Sequence, residues 1–279
     1  MKKITRRSFL AAAGLTAAAL ALTACGGSSA STASSVASSA ASSEAASTSA
    51  AAGELTTVEA GKLTMATNAA FPPYEMTTDA GDFEGIDIET AQAIADKLGL
   101  ELQIDDMDFD AALLSVQQGK ADIVMAGVTV TDERKAVMDF SDSYATGIQS
   151  IIVPEGSDIA SPDDLAGKKI GTQRGTTGYI YCSDDFGDEN VVAYDDGLTA
   201  VQALNNGQVD AVVIDNAPAK EFIAANPGLV ILETSYAEED YAIGLAKGSS
   251  LKDAINSALE ELKADGTLQS IVDKYISAE

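Results

Sequence analysis

The chain has 279 residues and a formal net charge of −26, from 43 acidic and 17 basic residues. Such an acidic surface favours solubility and argues against nucleic-acid binding, which needs a basic face. The sequence contains no histidine, so Ser-His-Asp and Cys-His catalysis are excluded and a zinc site is not expected. We expect no cofactor, no bound metal and no enzymatic activity.

The first 24 residues have the features of an export signal. A basic start is followed by an apolar run that is shorter than the roughly 20 residues of a membrane span. Residues 5–10 also resemble a twin-arginine signal, and the general export route is the alternative. Residues 22–25 resemble a bacterial lipobox, in which Cys25 carries the lipid, whereas the alternative is an ordinary cleaved signal.

Residues 25–57 consist almost entirely of Ser, Ala, Thr and Gly. Such a segment cannot bury enough apolar surface to become ordered, so it predicts a flexible tether with a reach of roughly 30 Å. An exported chain lipidated at Cys25 would be anchored to the outer face of the cytoplasmic membrane. The remaining residues, from 58 onwards, suit two lobes. Cys182 is the only other cysteine, so we expect no intramolecular disulfide and a small buried side chain.

Residues 62–67 predict a strand, and apolar spacing over 86–98 predicts a helix that ends at Gly99. Between them, two prolines exclude regular structure and hold Phe71 and Tyr74 on a stiff loop. These aromatic rings are interpreted either as a wall over a ligand or as a plug of the lobe.

A strand is predicted at residues 102–104 and a helix at residues 111–118, capped by Asp110. Phe109 lies between them, at the end of the strand. Ligand contact and core packing are equally open for this ring.

An apolar run over residues 123–126 predicts a buried strand, which breaks at Gly127 before a helix that is capped by Thr131. Arg134 falls in the first turn of that helix, where a cation is unfavourable unless it has an anionic partner. Ligands of open α/β sheets bind at the carboxyl ends of strands. We therefore hypothesise that Gly127, Thr129 and Arg134 hold a carboxylate. The alternative is a surface salt bridge from Arg134 to Asp132 or Asp139.

The second half begins with a turn-rich segment at residues 141–144 and an apolar strand at 148–153. Residues 169–172 predict another strand, followed by Gly175 and two threonines at a helix start. Because helix N-termini favour anions, Thr176 and Thr177 are interpreted as a second carboxylate site, with a structural cap as the alternative.

A buried strand over residues 210–214 ends at Asp215, and it echoes residues 122–127 of the first half. A helix ending in glycine precedes each, which suggests two lobes of like topology. Asp215 suits an ammonium group beside a cleft. The alternative is an N-cap for the next helix, and the two roles are compatible.

Extended runs at residues 144–148 and 239–243 predict two hinge strands between the lobes. Ser250 is expected to cap a helix through residue 262, and a last helix covers 268–275. We predict an α/β fold of two doubly wound lobes, one formed by 58–145 with 243–279 and the other by 146–242.

Seven segments carry a resemblance to a known family. In order, the sequence is similar to the extracellular solute-binding proteins of ABC importers, in particular the polar amino-acid family, at residues 71–75, 85–88, 107–109, 126–134, 139–142, 174–177 and 215–218. The resemblance covers about residues 58–279. It implies a type II periplasmic-binding-protein fold, a free L-amino acid as ligand, and membrane permease subunits of an ABC importer as partners of a monomer.

By this resemblance, Arg134 makes a bidentate contact with the ligand's α-carboxylate. Gly127 and Thr129 help to hold the α-groups, Thr177 adds a carboxylate contact from the second lobe, and Asp215 takes the α-ammonium. Three further residues contact or enclose the ligand side chain, namely Asn68, Phe71 and Phe109. Gln173 and Arg174 are further candidates of undetermined direction.

Some glutamine and basic amino-acid binders have Asp where this chain has Asn68. The sequence therefore predicts a polar uncharged amino acid first and a basic one second. Two other functions use the same fold. One is an amino-acid sensor that presents its ligand to a receptor. The other is a dehydratase with Glu75 or Asp108 as general acid, provided that burial raises the pKa of that group.

Overall fold

The computed structural model describes residues 55–276. The predicted signal peptide, the lipobox with Cys25 and most of the tether lie outside the described residues. Within the described range, no helix is long and apolar enough to cross a membrane.

The described chain alternates strands with helices. The strands are β1 (Lys62–Thr67), β2 (Ala70–Phe71), β3 (Glu75–Thr77), β4 (Phe83–Glu84), β5 (Glu101–Asp106), β6 (Ile123–Val124), β7 (Met138–Pro154), β8 (Ile170–Gln173), β9 (Val191–Tyr194), β10 (Ala211–Asp215), β11 (Leu229–Ile231) and β12 (Ala237–Ala246). The helices are α1 (Ile86–Leu98), α2 (Phe109–Gln117), α3 (Asp132–Val137), α4 (Thr177–Phe186), α5 (Gly197–Asn205), α6 (Asn216–Ala225), α7 (Lys252–Ala264) and α8 (Thr267–Tyr275).

Nine strands form one sheet in the order β5-β1-β6-β12-β7-β10-β8-β9, with β11 on β7. The strands β5, β1 and β6 are parallel, as are β10, β8 and β9, so each end of the sheet is a doubly wound α/β layer. The antiparallel pair of β12 and β7 joins the two ends. The predicted α/β fold with two lobes and two hinge strands is therefore confirmed.

The hinge is more regular than the sequence suggests. β7 is a continuous strand of 17 residues, so the prediction of a turn-rich segment at residues 141–144 is wrong. Pairing explains the difference, because β12 runs antiparallel along it with Tyr241 opposite Ala145 and Gly244 opposite Phe140. A cross-strand partner outweighs the local preference of Ser and Asp for turns.

Two predicted helix caps are wrong. Helix α7 begins only at Lys252 and no side chain caps it, so Ser250 lies one residue before the N-cap position. Asp110 lies inside the first turn of α2 rather than at its N-cap. The Thr131 cap is confirmed, because its hydroxyl accepts the N–H of Arg134 at 3.1 Å. At the start of α4, the structural cap that was the alternative to a carboxylate site is present, because the Thr176 hydroxyl accepts the N–H of Tyr179 at 3.3 Å.

The two prolines form the turn of a small hairpin in which β2 pairs with β3, with Phe71 opposite Glu75. Phe71 therefore lies on a short strand rather than on an irregular loop. In the second lobe Cys182 is fully buried, and this burial raises the pKa of its thiol to about 12. It packs as a small apolar side chain in the core, as predicted.

Candidate functional site

A narrow cavity of about 10 Å³ lies between the lobes, where the ends of several strands meet. All eight ligand-binding residues predicted from the sequence line it, together with four more. The lining residues are Asn68, Phe71, Glu75, Phe109, Ala126, Gly127, Thr129, Arg134, Gln173, Thr176, Thr177 and Asp215.

Arg134 is 8% exposed and projects from the first turn of α3 into this cavity. Its guanidinium donates from Nη1 to the Thr129 carbonyl at 2.8 Å and from Nη2 to the Gly175 carbonyl at 3.1 Å. It also lies 5.4 Å from the ring centre of Phe109. These bonds fix the fork while using two of its five N–H donors, which leaves donors for a bidentate carboxylate contact.

The alternative of a surface salt bridge from Arg134 is wrong, because burial removes the side chain from the surface. Asp139 instead pairs with Lys247 at 2.9 Å. Burial also lowers the pKa of Arg134, while the nearby carboxylate of Glu239 opposes that shift. A buried cation of this kind needs an anionic partner in the cavity.

Glu239 on hinge strand β12 joins the two carboxylate-binding candidates. Its Oε2 accepts from the Thr129 hydroxyl at 3.1 Å, from the Thr177 hydroxyl at 2.9 Å and from Gln149 Nε2 at 3.0 Å. Both hydroxyl protons are therefore directed at Glu239. The group of Thr177 that remains suited to a ligand carboxylate is its backbone N–H, at the first position of α4.

Asp215 ends β10 and is 7% exposed. Its carboxylate accepts from Gln149 Nε2 at 2.8 Å and from the Tyr241 hydroxyl. Burial raises the pKa of Asp215 to about 7. Asp215 also occupies the N-cap position of α6, as the alternative predicts, but its side chain makes no capping hydrogen bond. A buried carboxylate with this environment is suited to an ammonium group.

Gly127 shapes the cavity with its backbone. Its φ is +55°, and an added Cβ would lie 2.9 Å from Cε1 of Phe71, so only glycine fits. Its N–H donates to Asp87 Oδ2 at 3.0 Å, which also accepts the Tyr144 hydroxyl at 2.8 Å. The N–H of Gly127 is therefore engaged with the protein.

At another part of the wall, Gln173 of the second lobe donates from Nε2 to Asn68 Oδ1 at 2.8 Å. Asn68 in turn donates from Nδ2 to the Met107 carbonyl at 3.0 Å. Arg174 points elsewhere and pairs with Asp195 at 3.4 Å. Of the two candidates of undetermined direction, Gln173 lines the cavity.

The rings of Phe71 and Phe109 also line the cavity, and both belong to the buried core. The two alternatives posed for each ring are thus compatible. Phe71 stacks on Tyr74 at 5.9 Å between ring centres, and Tyr74 meets Tyr241 edge-on at 5.3 Å. Aromatic packing holds this wall rigid.

Glu75 also lines the cavity, although the sequence indicated it only as a candidate general acid. It is fully buried, and neither of its carboxyl oxygens has a hydrogen-bond partner in the described protein. Burial, and then the neighbouring charge of Asp87, raise its pKa well above the usual range. The sequence did offer a signal for Glu75, because it lies close in sequence to the predicted site residue Phe71. The two residues pair across the hairpin.

Comparison with known proteins shows the family. The family model of bacterial extracellular solute-binding proteins, family 3, matches residues 63–278. The chain belongs to this family. A curated relative, the L-cystine-binding protein TcyJ of Escherichia coli strain K12, is 33% identical over 79% of this chain and 85% of its own.

Several solved structures have a sequence identity to this chain that is similar or higher. ArtJ of Geobacillus stearothermophilus, an arginine-, lysine- and histidine-binding protein, has a TM-score of 0.75 at 34% identity, over 78% of this chain and 96% of its own. An ancestral arginine-binding protein is 42% identical over 78% of this chain and 99% of its own. Its glutamine-bound form has a TM-score of 0.75 and its arginine-bound form 0.74. Homologues of this chain are thus amino-acid-binding proteins of ABC importers.

Proposed function

We propose that this protein captures a free L-amino acid between its lobes, prefers a cationic side chain, and delivers the ligand to an ABC importer. The observation that carries the proposal is the set of three buried ionisable groups in one cavity, namely Arg134, Asp215 and Glu75. An α-carboxylate, an α-ammonium and a side-chain cation are their natural counterparts.

The α-carboxylate binds the free N–H donors of Arg134 and the N-terminus of α4 at Thr177. The α-ammonium binds Asp215, which is already oriented by Gln149 and Tyr241. Thr129 and Gly127 complete this region through their backbone. Because residues of both lobes contact the ligand, ligand binding and closure of the lobes occur together. The bond from Arg134 to the Gly175 carbonyl also joins the two lobes.

The ligand side chain meets Asn68, Phe71, Phe109, Gln173 and Glu75. Two aromatic faces favour a cation, and the carboxyl group of Glu75 is suited to pair with one. This reverses the order predicted from the sequence, in which polar uncharged ligands came first. The reason is Glu75, whose burial was not foreseen. Relatives that bind arginine, and one that binds cystine, support an amino-acid ligand.

The remaining predictions complete the proposal. The protein is exported by the signal in residues 1–24, lipidated at Cys25, and tethered by residues 25–57 as a monomer outside the cytoplasmic membrane. Its lobes comprise 58–145 with 243–279, and 146–242. It delivers its ligand to permease subunits, and it does not act on nucleic acid or need a cofactor.

Calorimetric titration with the twenty amino acids plus ornithine and cystine tests the proposal. We expect arginine, lysine or ornithine to bind most tightly and to raise the melting temperature, with about 2.7 kcal/mol of added stability at 100 times the dissociation constant. A panel in which nothing binds would overturn the proposal. Tightest binding of an uncharged ligand would overturn only the cationic preference.

The dehydratase alternative is favoured by one observation, the raised pKa of the buried Glu75. Asp108, the other candidate acid, is exposed. We propose that the protein is not an enzyme, because its known relatives are binding proteins. Incubation with prephenate or arogenate should leave their absorbance spectra unchanged. Formation of a product would instead support the dehydratase alternative. A sensing role uses the same pocket, and loss of amino-acid uptake on deletion of the gene separates transport from it.

A further inference from the structure

Four carboxyl oxygens of the described residues are buried without hydrogen-bond partners, one on Glu239 and three on a single pair of side chains. Of these three, two belong to Glu75 and the third is Oδ1 of Asp87, and both side chains are fully buried. The N–H of Asp87 donates to the carbonyl of Tyr74 at 2.8 Å, which holds the two segments together, and the carboxyl groups of Glu75 and Asp87 interact directly. Two carboxylates cannot donate to each other, so the contact lacks a proton that would satisfy it.

The surroundings decide where that proton resides. Oδ2 of Asp87 accepts the Gly127 N–H and the Tyr144 hydroxyl, and these bonds favour its charged form. Glu75 has no such donors in the described protein. A proton on Glu75 that is donated to Asp87 therefore gives the best arrangement, with one negative charge shared by the pair.

Every other group that faces Glu75 acts in the same direction or is neutral, except one. The carboxylates of Asp215 and Asp106 repel a charge on Glu75. The nearby Tyr74 and Tyr144 remain neutral because burial raises the pKa of their hydroxyls. The exception is the cation Arg134 in the same cavity, and its guanidinium already bonds to backbone carbonyls and faces Glu239.

We propose that Glu75 and Asp87 hold one shared proton at neutral pH and that a cationic ligand side chain displaces it, which couples the choice of ligand to proton release. The inference rests on the proposed function, because it presupposes that an amino acid binds in this cavity. When the cation arrives, the O–H bond of Glu75 breaks, the proton passes to the buffer, and the carboxylate pairs with the ligand. With an uncharged ligand the proton stays, and Glu75 can donate it to an amide oxygen. One site then accepts both ligand classes.

Arginine and citrulline test this coupling, because they have the same shape and differ in side-chain charge. Calorimetry at pH 7 in phosphate and in Tris, two buffers with different ionisation heats, gives the number of protons released by each ligand. Asp215 also gains an ammonium partner, but it does so with both ligands. We expect arginine to release up to about one proton more than citrulline.

The pH dependence of affinity gives a second measurement. Relative to citrulline, arginine should bind more tightly as pH rises, by up to about tenfold per pH unit while Glu75 is protonated in the free protein. In Glu75→Gln the extra proton release should vanish and arginine should lose affinity, while citrulline binding changes little. Glu84→Gln, at an exposed residue of the same small sheet, is the control and should behave as the wild type.

The outcomes separate the two proposals. Equal proton release by arginine and citrulline, with both ligands bound, would overturn the shared proton and leave the proposed function standing. Unchanged proton release in Glu75→Gln would overturn it too. Binding of neither ligand, nor of any other amino acid, would overturn both.

Discussion

Two buried carboxyl groups line the same cavity, and the fold treats them in opposite ways. Asp215 receives two donors, Gln149 and Tyr241, whereas Glu75 receives none from the described protein and lies beside a second carboxyl group. Burial raises the pKa of both groups. The two groups therefore differ in how many protein hydrogen bonds orient the carboxyl group before a ligand binds.

This difference matches two recognition tasks. The α-ammonium and α-carboxylate are the same in every L-amino acid, so the residues that meet them can be oriented permanently by protein hydrogen bonds. The side chain varies, and a carboxyl group without fixed donors can adapt its protonation to the ligand. The comparison predicts that changes around Asp215 affect all ligands alike, while changes around Glu75 discriminate between them.

The largest expected effect comes from Arg134→Ala. Removing the guanidinium would leave the ligand carboxylate buried without its main partner, which costs about 3–5 kcal/mol, or roughly 100- to 1,000-fold or more in affinity. Arginine and glutamine should weaken by the same factor in calorimetry. Arg174→Ala is the matched control, because Arg174 is half-exposed and pairs with Asp195, and it should bind normally. A loss confined to one ligand would break the comparison.

Asp215→Asn should give the next largest effect, and here binding and stability move in opposite directions. The pKa of Asp215 is raised by folding from 3.8 to about 7. Its contribution is therefore fully present below about pH 4 and lost as pH rises through about 7, at about 1.4 kcal/mol per pKa unit, or on the order of 4 kcal/mol in all. Without ligand, the variant should gain stability over the wild type across this range while binding of every amino acid weakens.

Urea unfolding at pH 4 and pH 8 measures this change in the free energy of unfolding. Asp87, whose pKa is raised to about 6 by burial, loses stability over part of the same range but does so in both proteins. Asp240→Asn, at an exposed position of the hinge, is the control. A wild type and Asp215→Asn with parallel pH profiles would mean that Asp215 is not strained by burial.

The residues of the proposed α-group region could be selected from the sequence because local rules point to them. Three features can be recognised from neighbouring residues alone. They are a cation in the first turn of α3, an anion-receptive helix start at Thr177 and an acidic residue at the end of β10. Their meeting in one cavity follows from the doubly wound topology, in which strand ends collect at one edge of the sheet.

What the sequence did not reveal depends on partners far along the chain. Glu239 joins Thr129 to Thr177 only because β12 crosses the hinge beside β7. The turn predicted within β7 failed for the same reason, since a distant strand pairs with it. Contacts between residues that are 62 and 110 positions apart, such as those of Glu239, have no local signal.

The smallest expected effect concerns the contact between the lobes beside the ligand side chain. Gln173 Nε2 donates to Asn68 Oδ1 across the cavity at 2.8 Å, a bond that requires closed lobes. A double-mutant cycle of Asn68→Ala and Gln173→Ala should give a coupling of about 1 kcal/mol in ligand affinity, roughly fivefold. Because these residues lie among those that enclose the side chain, the single variants should shift arginine and glutamine by different factors. If both ligands lost affinity by equal factors and the two substitutions showed no coupling, Asn68 and Gln173 would belong to the region that binds the α-groups. Discrimination between ligands would then depend on Glu75 and its proton alone.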